Sequence, residues 1–245
     1  MSEMKNDIKL VIKAFRAVDN LTDCQKYVEG HMKVLKIFGI TMITSANIEW
    51  FMDPYTYVVL VESEAGDKVY GGARIQVAGG KYPLPIEKAV SELDDTIYNF
   101  VRKYEAEGTG ELCGLWNSRE VAGLGVGSIF LTRVGVAIAT QLKLNSLFAL
   151  CAPITVAVGK KAGFNIETSL GNNGTFYYPK EDLLATAVMI KDIHDLSTAE
   201  EYERERILDL RKNPKQVANE KGPRGEVEIK YDLVIPQITE IPQTA

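Results

Sequence analysis

Histidine is almost missing from this chain: His31 and His194 are the whole supply in 245 residues. Neither stands at ligand spacing from the other or from a cysteine, so a His/Cys metal site has nothing to be built from. A Ser-His-Asp mechanism would have to use one of the two without a Gly-x-Ser-x-Gly elbow. They read as a helix-face residue and a loop residue. Cysteine is scarce as well. Cys24, Cys113 and Cys151 are too few and too scattered for a disulfide framework, which fits a reducing cytoplasm. Cys113 and Cys151 read as small buried side chains rather than nucleophiles. Basic charge is not in excess, since 28 Lys and Arg against 33 Asp and Glu give a net charge of -5. Nothing there would steer a nucleic acid, and none is expected as a partner. No apolar run approaches the roughly 18 residues of a membrane span. The opening Met1-Ser2-Glu3-Met4-Lys5 leads into mixed polar sequence without the apolar stretch of a signal peptide. Internal repeats and low-complexity segments are lacking too.

What is present suits one large domain, or one domain with an appendage, since 46% of the residues are hydrophobic. Val28, Met32, Leu35 and Phe38 mark one stripe of a helix from Thr22 to Phe38, ended by Gly39. Residues 57–61 and 69–77 read as strands of a hairpin around Ala65-Gly66-Asp67. After Pro83 and Pro85, apolar residues from Ile86 to Tyr104 keep the 3.6 period and predict one helix of five turns. Gly108 and Gly110 stop it. A strand Glu111–Trp116, a glycine-rich loop, and a helix from about Ser128 to Lys143 follow. Leu147–Cys151 is a short strand apolar on both faces. Pro153 opens a further helix ending at Gly163-Phe164, and strands are expected near 165–170 and 184–191. Beyond residue 195 the character changes. Thr198-x-x-Glu201 suggests a capping box for a charged helix to Lys212, then a late strand over 226–235 and a loose tail. The chain therefore divides into a domain of residues 1–195 and a C-terminal extension of 196–245. Alternating strands and helices predict an α/β layered fold with a mixed sheet.

The segment Ala122-Gly123-Leu124-Gly125-Val126-Gly127-Ser128, between strand and helix, is the most informative. Glycines allow close backbone approach, and a helix start offers unpaired N–H groups and the positive dipole end, which suits a pyrophosphate. A tight turn would also explain them. It is not a Walker A loop, because no lysine follows Gly127. It is not a Rossmann fingerprint either, because the next strand ends in Cys151-Ala152 without a carboxylate.

Residues 111–164 resemble the core of the GNAT (acyl-CoA N-acyltransferase) superfamily: strand, Gly-x-Gly loop with a following serine, apolar helix, short apolar strand, helix, Gly-Phe. The superfamily's Gln/Arg-x-x-Gly-x-Gly/Ala pattern is matched by Ala122-x-x-Gly125-x-Gly127, with alanine at the first position. Arg119 and Arg133 are the nearby candidates to restore the charge. The tyrosine often found four residues before Gly-Phe is Gly159. Gly71-Gly72-Ala73-Arg74-Ile75, the Pro-flanked helix and Glu111 are similar to acyl-homoserine-lactone synthases and N-acyl amino acid synthases. The Glu-x-Ser-Arg of those enzymes becomes Glu111-Leu112-Cys113-Gly114. The resemblance implies a three-layer fold with a central mixed, mostly antiparallel sheet flanked by helices. It also implies transfer of an acyl group from acyl-CoA, or from the phosphopantetheine of an acyl carrier protein, to a small-molecule amine without a metal. A second copy of the chain is a candidate partner.

Aminolysis of a thioester needs a proton acceptor, an oxyanion donor and an exit for thiolate. Glu111 is the candidate base. The resemblance implies an oxyanion donor on the strand carrying Leu115 and Trp116, and a phosphate cradle at Gly123, Gly125, Gly127 and Ser128. Arg74 would hold an acceptor carboxylate, with Trp50 and Asp53 lining the acceptor pocket. A catalytically silent CoA-binding or sensory module on the same fold is the alternative, and an interaction protein working through its C-terminal helix and strand is a third reading.

Overall fold

A computed structural model describes residues 9–37, 39 and 48–236. Among the described residues, ten strands form a single sheet, in the order β6-β8-β5-β4-β3-β2-β1-β10-β9, with β7 also pairing β8. They are β1 (Lys9–Arg16), β2 (Thr56–Ser63), β3 (Val69–Val77), β4 (Thr109–Asn117), β5 (Ser146–Cys151), β6 (Asn165–Ile166), β7 (Thr175–Tyr177), β8 (Leu184–Ile190), β9 (Lys215–Gly222) and β10 (Gly225–Asp232). Only β4–β5 and β1–β10 run parallel. The rest is antiparallel, so the sheet is mixed and mostly antiparallel.

Alternation along the strands sends side chains to two faces. Tyr57, Val59 and Val61 of β2 join the main core, whereas Val58 and Leu60 face the opposite layer. On the main-core side lie α4 (Leu131–Ala139), α5 (Pro153–Lys161) and α6 (Glu201–Lys212). The other side carries α1 (Leu21–Ile37), α2 (Pro85–Val90) and α3 (Thr96–Glu105). Three layers result.

Several elements depart from the sequence expectation. The five-turn helix over 86–104 is two helices. Asp94 ends the run by accepting from Thr96 N (3.1 Å) and Gly171 N (2.7 Å), which caps α3 from outside it. The 3.6 period persists because Ile86, Val90, Ile97 and Val101 all enter one core cluster. β1 was hidden because lysines flank its short apolar run: Leu10, Ile12 and Ala14 are buried, Lys9 is exposed, and Lys13 is half-buried and paired with Asp23 and Glu62. The strand near 165–170 shrinks to two residues, and β7 and β9 are additional. Thr198 does not cap α6: its hydroxyl donates to Gly163 O at 2.7 Å, and Glu200 precedes the first turn instead. The α1 stripe is turned from the expected one. Cys24, Tyr27, Val28, His31 and Leu35 are buried, Met32 is exposed, and Phe38 lies outside the described residues.

Residues 196–236 add α6, β9 and β10 to the layers already formed. The joint is a buried ion network. Arg133 of α4 gives Nε and Nη2 to Glu203 of α6 (2.7 and 2.9 Å) and Nη1 to Glu220 of β9 (2.6 Å). Glu220 also accepts from Tyr231 (2.9 Å) and Arg206 (2.6 Å). Arg133 is therefore committed to packing, and Arg119 is exposed. The tail beyond Pro236 lies outside the described residues.

Candidate active site

The site begins as a defect in strand pairing. β4 and β5 pair only through Thr109–Ser146, Gly110–Leu147 and Glu111–Phe148. Beyond Glu111 the two strands part, leaving the β5-facing backbone of β4 without a strand opposite it. β4 also bulges against β3: Arg74 faces Cys113 but Gly72 faces Trp116, so β4 carries an extra residue there. Gly114 supplies it with φ +59°, a left-handed conformation that other residues rarely adopt. A β-carbon on Gly114 would also fall 2.2 Å from the Tyr27 hydroxyl.

The gap holds a cavity of about 320 Å³, within the usual range of small-molecule sites. Glu111, Cys113 and Leu115 line it from β4, Leu150 and Cys151 from β5, Gly127 and Ser128 from the glycine turn. Thr132, Val158, Gly159 and Phe164 extend the wall, largely apolar. His31 reaches it from α1.

Glu111 is 2% exposed. Its Oε2 accepts the backbone N–H of Ile86, at the start of α2, at 2.6 Å. Burial pushes its pKa up to about 8, against the opposing pull of that hydrogen bond and of Arg74. A carboxyl group titrating there can both take and return a proton near neutral pH.

The glycine turn is a π-type turn, Val126–Phe130, running into α4, with Phe130 N bonded to Gly125 O at 3.1 Å. Such turns frequently occur at functional sites. Its glycines do different work. Gly127 borders the cavity, and a β-carbon there would lie 1.9 Å from Asn117 Oδ1. Gly125 (φ +90°) packs under the Phe130 ring. Gly123 (φ +85°) lies beneath Arg224, whose N–H donates to Gly123 O at 3.0 Å. Glu111, Leu115, Gly127 and Ser128 thus come together around one cavity, while Gly123 and Gly125 shape the turn behind it.

Trp116 points the other way, into an aromatic cluster with Tyr27 and Trp50. Arg74 lies behind Glu111 and Cys113, 2% exposed, its guanidinium 4.9 Å from the Trp50 ring centre. Arg74 Nε and Nη1 and Trp50 Nε1 are buried with no hydrogen-bond partner. A small cavity of about 30 Å³ adjoins them, lined also by Glu49, Gln76 and Tyr82. Asp53 is not part of it. Its Oδ1 accepts from Tyr55 N (3.1 Å) and its Oδ2 from the Thr56 hydroxyl (2.7 Å), which fixes the entry to β2. His31 was missed because a histidine and a tyrosine were not counted into the α1 stripe; spacing Cys24, Tyr27, Val28 and His31 together would have found it. Among the described residues, no three His, Cys, Asp or Glu side chains gather as a metal site, and no helix is long and apolar enough to cross a membrane.

The mixed sheet with helices on both faces is the fold shared by the GNAT-type acyltransferases found among similar solved structures. No protein-family profile matches the chain, and no curated protein matches it in sequence. Among solved structures it is similar to FeeM, an N-acyl amino acid synthase from uncultured soil microbes: TM-score 0.57, 12% identity, 80% of this chain and 97% of that one. It is similar also to MesI, a CoA-dependent acyl-homoserine lactone synthase: TM-score 0.52, 12% identity, 82% of this chain and 95% of that one. An acyl-CoA N-acyltransferase from Pseudomonas aeruginosa matches at TM-score 0.50 and 13% identity, over 74% of this chain and 98% of that one. At such identities the likeness establishes the fold.

Proposed function

We propose that the protein is an N-acyltransferase that moves an acyl group from a pantetheine thioester to a small-molecule primary amine. The observation that carries this reading is the cleft between β4 and β5, where a buried carboxyl group of raised pKa meets an apolar wall and a glycine turn. The first N–H groups of a helix have no carbonyl partner within it, so the turn into α4 suits the phosphates of CoA or of an acyl carrier protein's phosphopantetheine arm. The CoA dependence of MesI favours acyl-CoA.

Thioester carbonyls are already activated, so positioning and one base suffice without a covalent intermediate. The amine nitrogen attacks the carbonyl carbon, the C–N bond forms, and the carbonyl electron pair moves onto oxygen. Glu111 as carboxylate accepts the proton that the amine releases. When the C–S bond breaks, the same proton passes to the thiolate and Glu111 returns to its starting state. No tyrosine stands at Gly159, so Glu111 covers both transfers.

Arg74 would hold a carboxylate on the acceptor. Its two buried, unpartnered N–H-bearing atoms cost about 1–3 kcal/mol each while unmet, and a bidentate carboxylate satisfies both. The likeness to an N-acyl amino acid synthase supports an amino-acid-like acceptor. The test is an acyl-CoA panel against amino acids, with free thiol measured and the amide product identified by mass. Thiol release that depends on the amine supports the reading. CoA binding without turnover under any pairing would point instead to a silent binding module.

A further inference from the structure

His31 borders the cavity and has no role in the steps above. It is 6% exposed, and its ring centre lies 5.8 Å from that of Tyr27, one turn earlier on α1. Tyr27 gives its hydroxyl proton to Gly114 O at 2.6 Å, which ties α1 to the β4 bulge. The imidazole sits at the same spot: its Cε1 lies 3.5 Å from where a β-carbon on Gly114 would be. No hydrogen bond joins either ring nitrogen to another described residue. The titratable and charged groups facing it are Tyr27 on its own helix, Arg74 from β3, and Glu111 and Cys113 from β4. Burial, helped by Arg74, drives its pKa down to about 4. At neutral pH the ring is therefore uncharged and offers one N–H and one bare nitrogen.

We propose that His31 is a catalytic hydrogen-bond donor whose imidazole N–H holds the thioester carbonyl oxygen beside the β4 bulge as the amine attacks. The proposal rests on the acyl-transfer reading. A thioester placed between Glu111 and the bulge has the parted edge of β4 on one side and the His31 ring on the other. Negative charge grows on the carbonyl oxygen as the C–N bond forms, and a fixed neutral donor in a dry cleft stabilises that charge without reorganising. His31 keeps its proton throughout. The amine's proton travels through Glu111 to the thiolate, so every proton is accounted for without charging the imidazole. A base role suits His31 poorly, because a buried ring beside a guanidinium resists protonation.

The test compares His31→Leu, His31→Asn and His31→Gln with the wild type at saturating donor. Asparagine places its amide nitrogen near the imidazole Nδ1 position and glutamine near Nε2, so each mimics one donor. We expect His31→Leu to lower kcat by about 10²–10³, with the donor KM within about threefold. One of the two amide variants should recover to within about tenfold of wild type. NMR of the wild-type ring should show it uncharged down to about pH 5. Should the leucine variant fail to fold, the amide pair carries the test alone: one fast and one slow supports the donor. Equal rates in both, or a leucine variant with wild-type kcat, overturns the proposal. Lack of thiol release from the wild type with every donor and acceptor defeats the acyl-transfer reading itself, and variant rates play no part in that outcome.

Discussion

Replacing Glu111 by glutamine tests both the chemistry and the electrostatics of the site, by two independent readouts. Glutamine keeps an oxygen to accept the Ile86 N–H, so the local hydrogen bond at 2.6 Å has a substitute. What it removes is the titration. With a pKa of about 8, roughly one Glu111 in ten is ionised at pH 7. Wild-type kcat/KM should then rise about tenfold between pH 7 and pH 9. Loss of the base should lower kcat by about 10²–10⁴ with little change in donor binding.

The acceptor amine titrates in the same range, so the rate profile alone does not isolate Glu111. Stability of the ligand-free protein does. Between the ordinary glutamate pKa of 4.5 and the folded value of about 8, the native state holds a proton that the unfolded chain has released. Stability of the wild type therefore falls as pH rises through that window. The full interval corresponds to an upper limit of about 5 kcal/mol, at about 1.4 kcal/mol per pKa unit. Glutamine carries no such dependence. In urea titrations the variant should match the wild type near pH 4.5 and exceed it by a few kcal/mol at pH 9, in the manner of a buried charge removed. A stability difference that does not change between those pH values would refute the raised pKa. Wild-type turnover by the variant would refute the base.

Arg74→Met should leave ligand-free stability unchanged or raise it by about 1–2 kcal/mol, because buried donors without partners disappear, while the KM for a carboxylate-bearing acceptor rises at least about a hundredfold; thermal melts and acceptor titrations check both. Arg133→Met should cost about 3–5 kcal/mol in chemical denaturation at neutral pH, since Glu203 and Glu220 lose their buried counter-charge. Glu220 itself is held below its ordinary pKa by Arg133 and Arg206, so this contribution is present above about pH 4.5 and declines as acid protonates the carboxylate. An acyl series from acetyl to C16 should show kcat/KM at least about tenfold higher for C8–C16 donors, since each methylene buried against the apolar wall adds up to about 0.8 kcal/mol; acetyl-CoA as the best donor would overturn the long-chain expectation.

Local pattern made much of this fold readable, and distant contact hid the rest. The β2–β3 hairpin, β4, β5 and the helix beyond the glycine turn announce themselves through periodicity and turn residues confined to each segment. The 91–95 break does not, because it is fixed by Asp94 reaching Gly171 across the fold. β9 lacks a buried face of its own along much of its length, and it becomes a strand through pairing with β10. The same division runs through the site. Glu111 and the Gly127-Ser128 turn stand close to each other in sequence and were legible. The partner that completes the cavity wall, His31, comes from a helix some eighty residues earlier. The glycines of the loop look alike in sequence, but Gly123 and Gly125 answer to Arg224 and Phe130 rather than to the cavity.

How buried polar groups are treated in different parts of the molecule supplies an argument for the site that does not depend on likeness to any other protein. Where α6 meets α4, each Arg133 nitrogen finds a carboxylate, and Glu220 is met by a tyrosine and a second arginine. Lys13 is likewise shared between Asp23 and Glu62, and the lapses away from the site are isolated single atoms, Glu62 Oε2 and Arg211 Nε. Around β3 and β4 the rule is broken repeatedly within a short distance. Arg74, Trp50 and Trp116 hold buried donors without acceptors, Glu111 stays protonated near neutral pH, and His31 stays uncharged. Each lapse disfavours the folded state by about a kcal/mol or more. Three of these unmet donors, two on Arg74 and one on Trp50, belong to residues bordering the small cavity beside Tyr82, and Glu111 and His31 border the larger one. Unmet donors call for an anionic or carbonyl-bearing ligand, and a carboxyl group poised to titrate calls for a proton to move. An amine with a carboxylate, attacking a thioester, supplies both.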